Sequence, residues 1–217
     1  MLFLVATPIG DVSEISLRAL DVLKNADVII CESTKEASKL LKSHGLKAKE
    51  YRVLDEHSRQ EDLTELLEIC REKTAALVSD CGTPGFCDPG ADLVGLCRKN
   101  KISVKSVLGA SSLMGLLSLA GRKVPQFHFR GFLPAENEER KRSWLELKKS
   151  KEAIILMDTP YRLGKLLTET KEHFPSRVVL LVLNLSQETE VVLEGRIEDV
   201  VSRWNQEKAE FMLLLYA

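Results

Sequence analysis

One stretch constrains this chain more than any other: residues 75–90 read AALVSDCGTPGFCDPG. Ala75 to Val78 has the character of a short buried strand, and it breaks into a loop with three glycines and two prolines. Asp88-Pro89 has the form of an N-cap followed by the first residue of a helix. Strand, glycine-rich turn and helix in succession is how an α/β protein presents a ligand site at the carboxyl edge of its sheet. The loop holds no G-x-G-x-x-G and no G-K-[ST], which excludes a dinucleotide fingerprint and a phosphate loop. So few side chains let the backbone itself approach a ligand. The plain alternative is a tight connection with nothing bound.

The segments around it repeat the theme. Leu2 to Ala6 is a continuous apolar run, as in a strand covered on both faces, and it ends in Thr7-Pro8-Ile9-Gly10-Asp11. Ile15, Leu17, Leu20, Val22 and Leu23 mark a helix. Asp27 to Cys31 reads as a strand, with Glu32-Ser33-Thr34 at its end and a helix to His44 that Gly45 stops. Tyr51 to Leu54 is a strand, and Ser58 with Glu61 has the spacing of a capping box opening a helix to Arg71. After the 75–90 stretch come a helix ending near Asn100, a strand over Ile102 to Leu108, the small residues Gly109-Ala110-Ser111-Ser112, and an apolar helix to Gly121. This alternation predicts a mostly parallel sheet with helices on both faces. Three loops of small residues (7–11, 80–88 and 109–112) would then share one edge.

The second half alternates less regularly. Strands are expected over Phe127 to Phe132, Ala153 to Met157, Val178 to Asn184, Glu190 to Glu194 and Glu210 to Leu215, with a helix from Ile197 to Trp204. Adjacent strands at the end imply antiparallel pairing. Thr159-Pro160 repeats the cap-and-proline device of Asp88-Pro89. The charged segment Glu136 to Lys149 reads first as a solvated helix with i,i+4 ion pairs. Its cluster Arg140, Lys141, Arg142 beside Trp144 is also a candidate contact for phosphates and a base. The chain thus divides into two α/β lobes, 1–121 and 122–217, with a ligand cleft expected between them.

Composition removes whole classes of function. A net charge of −1 over 217 residues gives no global field toward nucleic acid, though it leaves room for a local basic patch. The five cysteines include no C-x-x-C pair and only four histidines accompany them, so no zinc or other metal site is expected. The longest uncharged stretch, Ser106 to Gly121, is too short to cross a bilayer. A cytoplasmic protein with reduced thiols and no membrane partner is expected.

Four collinear segments carry a resemblance: VATPIGDVSEISLRAL at 5–20, SDCGTPGFCDPG at 79–90, RGFLPAENEERK at 130–141 and MDTPYR at 157–162. They resemble the VATPIGNL, SDAGTP-x-x-SDPG, G-F-L-P and ESPHR segments of the tetrapyrrole (corrin/porphyrin) methylase superfamily. The similarity is strongest to its small-subunit ribosomal RNA methyltransferase I branch, which methylates a cytidine 2′-hydroxyl. The resemblance implies a two-lobed class III fold, S-adenosylmethionine as cofactor, a homodimer, and 16S rRNA or the small ribosomal subunit as partner. By position it implies a cofactor wall of Pro8, Ile9, Gly82, Thr83, Phe86, Ser111, Ser112, Met157, Asp158 and Thr159.

The departures lie on the acceptor side. Glu32-Ser33-Thr34-Lys35 stands where the branch has Glu-Asp-Thr-Arg, and Leu108-Gly109-Ala110-Ser111 stands where it has Pro-Gly-Pro-Ser. Asp158 and Tyr161 replace the glutamate and histidine of ESPHR. The branch usually adds a small C-terminal domain, and this sequence ends at Ala217. Glu32, Lys35 and Tyr161 are the catalytic candidates, each with a plain structural alternative; Asp88 is read as a helix cap and His57 as surface. Three readings stay open: an rRNA methyltransferase, a methyltransferase of a tetrapyrrole or other small molecule, and a cofactor-binding protein without turnover.

Overall fold

Apolar runs of four or five residues with no polar alternation can only be satisfied where both faces of a strand are covered, and the chain forms two sheets of this kind. The computed structural model describes residues 1–205 and 208–217. It folds as two compact units, Met1–Ser111 and Ser112–Ala217. The division falls before α5 (Ser112–Leu119), ahead of the expected 121/122, because Leu116 of that helix is buried against Ile155, Leu180 and Leu214 of the second sheet.

In the first unit, β1 (Leu2–Val5), β2 (Val28–Cys31), β3 (Glu50–Val53), β4 (Ala75–Val78) and β5 (Val104–Val107) form an all-parallel sheet in the order β3-β2-β4-β1-β5. Alternate residues serve opposite cores. Leu2, Ile30, Ala75 and Leu77 pack under α3 (Gln60–Glu72) and α4 (Ala91–Lys99), through Leu63, Leu66, Leu67, Leu93 and Cys97. Val5, Ile29, Cys31, Ala76 and Val78 pack under α1 (Leu17–Asn25) and α2 (Thr34–Ser43), through Ala19, Leu23, Ala37 and Leu41. The neighbours β1 and β4 therefore send their helices to opposite faces.

Two expected caps lie elsewhere. The N-cap of α4 is Gly90 and not Asp88. Gly90 sits at φ +132°, and a Cβ there would come within 2.6 Å of the Leu77 side chain. The tight seat of the helix on β4 thus requires glycine at this position. Gly90→Ala should cost roughly 1–3 kcal/mol through strain and overpacking, and a urea unfolding series on the two proteins measures it. The N-cap of α3 is Arg59, whose backbone amide donates to Asp62 at 2.6 Å. Ser58 instead closes the preceding turn, donating to the Asp55 carboxylate at 3.0 Å and accepting from the Asp55 amide at 2.9 Å.

The second unit holds β6 (Phe127–Gly131), α6 (Asn137–Leu147), β7 (Ala153–Met157), α7 (Leu163–His173), β8 (Val178–Leu183), β9 (Val191–Arg196), α8 (Ile197–Arg203) and β10 (Phe211–Leu215). Its sheet order is β6-β7-β10-β8-β9. Only β6 and β7 pair in parallel; β10 lies antiparallel to β7 and β8, and β9 antiparallel to β8. The mixed sheet expected from the sequence is present. Ile154, Leu156, Leu181 and Leu213 face a core with α6, α7 and α8, while Ile155, Leu180 and Leu214 face α5. No helix among the described residues is long and apolar enough to cross a membrane.

Candidate functional site

Hydrogen bonds join the three loops at the carboxyl edge of the first sheet. The Thr7 amide donates to the Gly82 carbonyl at 2.8 Å, and the Gly82 amide returns the bond to the Thr7 carbonyl at 3.1 Å. The Thr83 hydroxyl donates to the Ala110 carbonyl at 2.9 Å, tying the second loop to the third. Gly82 makes the first junction with φ +78°, a left-handed conformation that glycine adopts without strain. Glu14, which the sequence did not mark, braces the first loop: its carboxylate accepts from the amides of Ile9 at 2.8 Å and Gly10 at 3.3 Å.

The predicted cofactor wall falls into two groups. Pro8, Ile9, Gly82, Thr83 and Phe86 lie on the joined loops of the first unit, with Ser111 at the end of the third. Phe86 is 66% exposed there. Ser112 is the first residue of α5, and Met157, Asp158 and Thr159 close β7 in the second unit. A cavity of about 180 Å³ beside the first loop is lined by Thr7, Pro8, Ile9, Ser79 and Asp80 together with the α2 residues Glu36 and Leu40. A second, of about 360 Å³, lies against Asp55, Glu56, Cys87, Asp88 and Pro89.

Carboxylates gather at the same edge. Burial pushes the Glu32 carboxyl up to about 7, and the negative charges of Asp88, Asp80, Asp55 and Glu56 push the same way. Lys35, the ion-pair partner considered for Glu32, is exposed and is not among the groups acting on it. Asp88 is raised by burial and by Asp80, against a hydrogen bond from Ser79. Asp80 is raised by burial and by Glu36, against an amide donated by Ser33. A carboxyl poised near neutrality at a loop mouth has the properties of a general base. Oxygen-rich loops and uncompensated carboxylates also suit a ligand that carries positive charge. The residues present therefore fit a sulfonium donor. Among the described residues, no three His, Cys, Asp or Glu side chains stand where they could share a metal ion.

In the second unit the sequence was misleading about α6. Arg140 is not a solvated cation or a phosphate contact, being 2% exposed, and Trp144 is 1% exposed. The Arg140 guanidinium donates from Nε to Glu169 at 2.8 Å and from Nη1 to Asp158 at 3.1 Å. The Trp144 ring donates to the same Glu169 at 3.1 Å. Asp158 also accepts from the Thr159 amide at 2.9 Å and faces Arg162 at 3.5 Å. Thr159 and Pro160 do open a helical turn, the short 3-10 turn Pro160–Arg162 that leads into α7, without a side-chain capping bond. Tyr161 on that turn is 80% exposed. The His57 side chain is 84% exposed, as expected of surface.

The model of the tetrapyrrole (corrin/porphyrin) methylases matches residues 1–201. The chain belongs to that family. It is an S-adenosylmethionine-dependent methyltransferase. Among curated relatives, ribosomal RNA small subunit methyltransferase I of Neisseria meningitidis serogroup B is 35% identical, covering 99% of this chain and 75% of the relative. The protein of that name from Leptospira biflexa is 37% identical over 99% of this chain and 90% of its own length. The Coprothermobacter proteolyticus one is 36% identical over 100% and 97%. Among solved structures, diphthine synthase superposes with a TM-score of 0.78 at 16% identity, covering 99% of this chain and 89% of that one. The Thermus thermophilus uroporphyrin-III C-methyltransferase complexed with S-adenosylhomocysteine gives 0.67 at 18%, covering 99% and 96%. At such identities these structures establish the tetrapyrrole methylase fold.

Proposed function

We propose that this tetrapyrrole methylase family member methylates the 2′-hydroxyl of a cytidine in small-subunit ribosomal RNA. The observation that carries the proposal is Glu32, a half-buried carboxyl held near neutrality beside the joined loops. A ribose hydroxyl is a poor nucleophile until a base takes its proton, and a group titrating near the working pH does this best. A carbon acceptor on a macrocycle has no such hydroxyl proton to give up. The full-length likeness to proteins named as ribosomal RNA methyltransferases supports the same acceptor.

S-adenosylmethionine, when bound, supplies a methyl group carried on a sulfonium. The chain's own task is to position and to move one proton. Pro8, Ile9 and Thr83 keep part of their surface open on the loops that buried Gly82 joins, and Phe86 adds an exposed ring. Holding reactants in attack geometry accounts for much of the acceleration in group transfer. Glu32 accepts the hydroxyl proton on its carboxylate, and its burial, with the charges of Asp88 and Asp80, keeps its affinity for that proton high. The protein works in the cytoplasm as a homodimer, and sedimentation velocity reads the dimer directly.

Incubation with tritiated S-adenosylmethionine and small-subunit rRNA from cells lacking the enzyme tests the acceptor. Label is expected in a nuclease-resistant cytidine 2′-O-methyl nucleotide. Label in a base, or in an added tetrapyrrole and not in RNA, would overturn the assignment.

A further inference from the structure

We infer that Tyr161, flanked by Arg162 and Lys208, is a stacking platform for a base of the acceptor strand. The inference rests on the RNA reading above and assigns a surface to it.

The strand-end turn at 158–162 is anchored from below. Asp158 has no side-chain exposure, and its two carboxylate oxygens are occupied by Arg140, Arg162 and the Thr159 amide. The Arg162 amide donates to the Thr159 carbonyl at 2.9 Å, and Pro160 fixes the first residue of the turn. A turn tied down at this many points holds its exposed side chain at a set pitch. That side chain is Tyr161, with 80% of its surface open to solvent. Large aromatics normally bury this area, and one displayed on a rigid support is the form that base-stacking surfaces take.

The charges around the ring agree. The Lys208 ammonium lies 5.1 Å from the ring centroid, a cation–π contact on one face that leaves the ring largely uncovered. Arg162 is adjacent and 38% exposed at its side chain, and Lys165 is 48% exposed one helical turn on. An aromatic face beside cations that can reach the strand's phosphates is how single-stranded RNA is held. Tyr161 was a catalytic candidate in the sequence. Its exposure and its partners instead suit a role in binding the acceptor.

The test is fluorescence anisotropy with a fluorescein-labelled oligocytidylate, run beside calorimetry with S-adenosylhomocysteine on the full chain. Tyr161→Ala should weaken RNA binding roughly 5–150-fold, the range of 1–3 kcal/mol per stacked base. Tyr161→Phe should keep affinity within about twofold, because the ring and not the hydroxyl stacks. Lys208→Gln should lower the salt dependence by about one phosphate equivalent. S-adenosylhomocysteine affinity should be unmoved throughout. The platform is overturned if the alanine protein binds RNA like the parent, if phenylalanine loses as much as alanine, or if affinity for S-adenosylhomocysteine falls in step. A parent protein that binds no RNA and labels no rRNA sinks the platform and the acceptor assignment together. RNA binding that survives Tyr161→Ala sinks the platform alone.

Discussion

Glu32→Gln should lower kcat/KM for methyl transfer to RNA by roughly 10²–10⁴-fold, the usual contribution of a positioned general base. The pH profile identifies the cause. In the parent, activity should climb as pH rises through about 7, because the carboxyl is protonated, and useless as a base, below that point. In the glutamine protein that ascending limb should vanish, with S-adenosylhomocysteine affinity retained. A loss of only a few-fold, or an unchanged limb, would remove Glu32 from the chemistry. Stability supplies a second readout with its own sign. The folded carboxyl holds its proton to higher pH than the unfolded one, whose ordinary value is 4.5. The native state therefore binds more protons across that window, and stability falls as pH rises from about 4.5 to about 7. Glu32→Gln should flatten that slope, so the variant gains relative to the parent above pH 7. A group that aids catalysis while costing stability is what a functional carboxyl at a loop mouth should be.

Arg140→Met should have the largest effect on folding. It strips the cation from between Asp158, fully buried, and Glu169, 18% exposed at its side chain. Removing one partner of a buried pair leaves an uncompensated charge and typically costs 3–5 kcal/mol. For a chain of this length that corresponds to a fall of roughly 6–20 °C in the unfolding midpoint, which calorimetric scanning measures. Neutralising the abandoned carboxylates as well, in Arg140→Met with Asp158→Asn and Glu169→Gln, should restore most of the loss. If the triple variant is no better than the single one, the cost lies in packing against Trp144 and not in charge. Arg140→Lys should recover little, because a point charge cannot serve both carboxylates as the guanidinium fork does.

These two residues also show what could be read from the chain and what could not. Glu32 was identifiable because it ends an apolar run, and polar residues at strand ends fall on the functional edge of a parallel sheet. Its raised pKa was not, since its burial, the largest cause, and the charges of Asp88, Asp80 and Asp55, distant in sequence, arise only once the strands assemble in the order β3-β2-β4. Arg140 was misjudged for a related reason. Within ENEERKRSWLELKKS nothing distinguishes one arginine from the next, and the carboxylates that bury it come from the end of β7 and from α7. The loops 7–11, 80–88 and 109–112 were expected at one edge and are hydrogen-bonded there. The caps failed where a local pattern competed with packing. Asp88-Pro89 has the grammar of a helix start, yet α4 begins after Gly90, because only a residue without a Cβ fits against Leu77.

The strand order has a consequence for how the protein is made. β1 precedes both of its neighbours in the chain, and they are registered to it at Ala75 and Val104. Leu2 to Val5 must therefore wait for Ala75 to Leu77 to gain a partner on one side, and for Val104 to Val107 to gain one on the other. A nascent chain arrested before Val104 should leave that strand open on one side and accessible to chaperones. The edge that gathers the three loops is thus built in two steps, Thr7 meeting Gly82 first and Thr83 reaching Ala110 only afterwards.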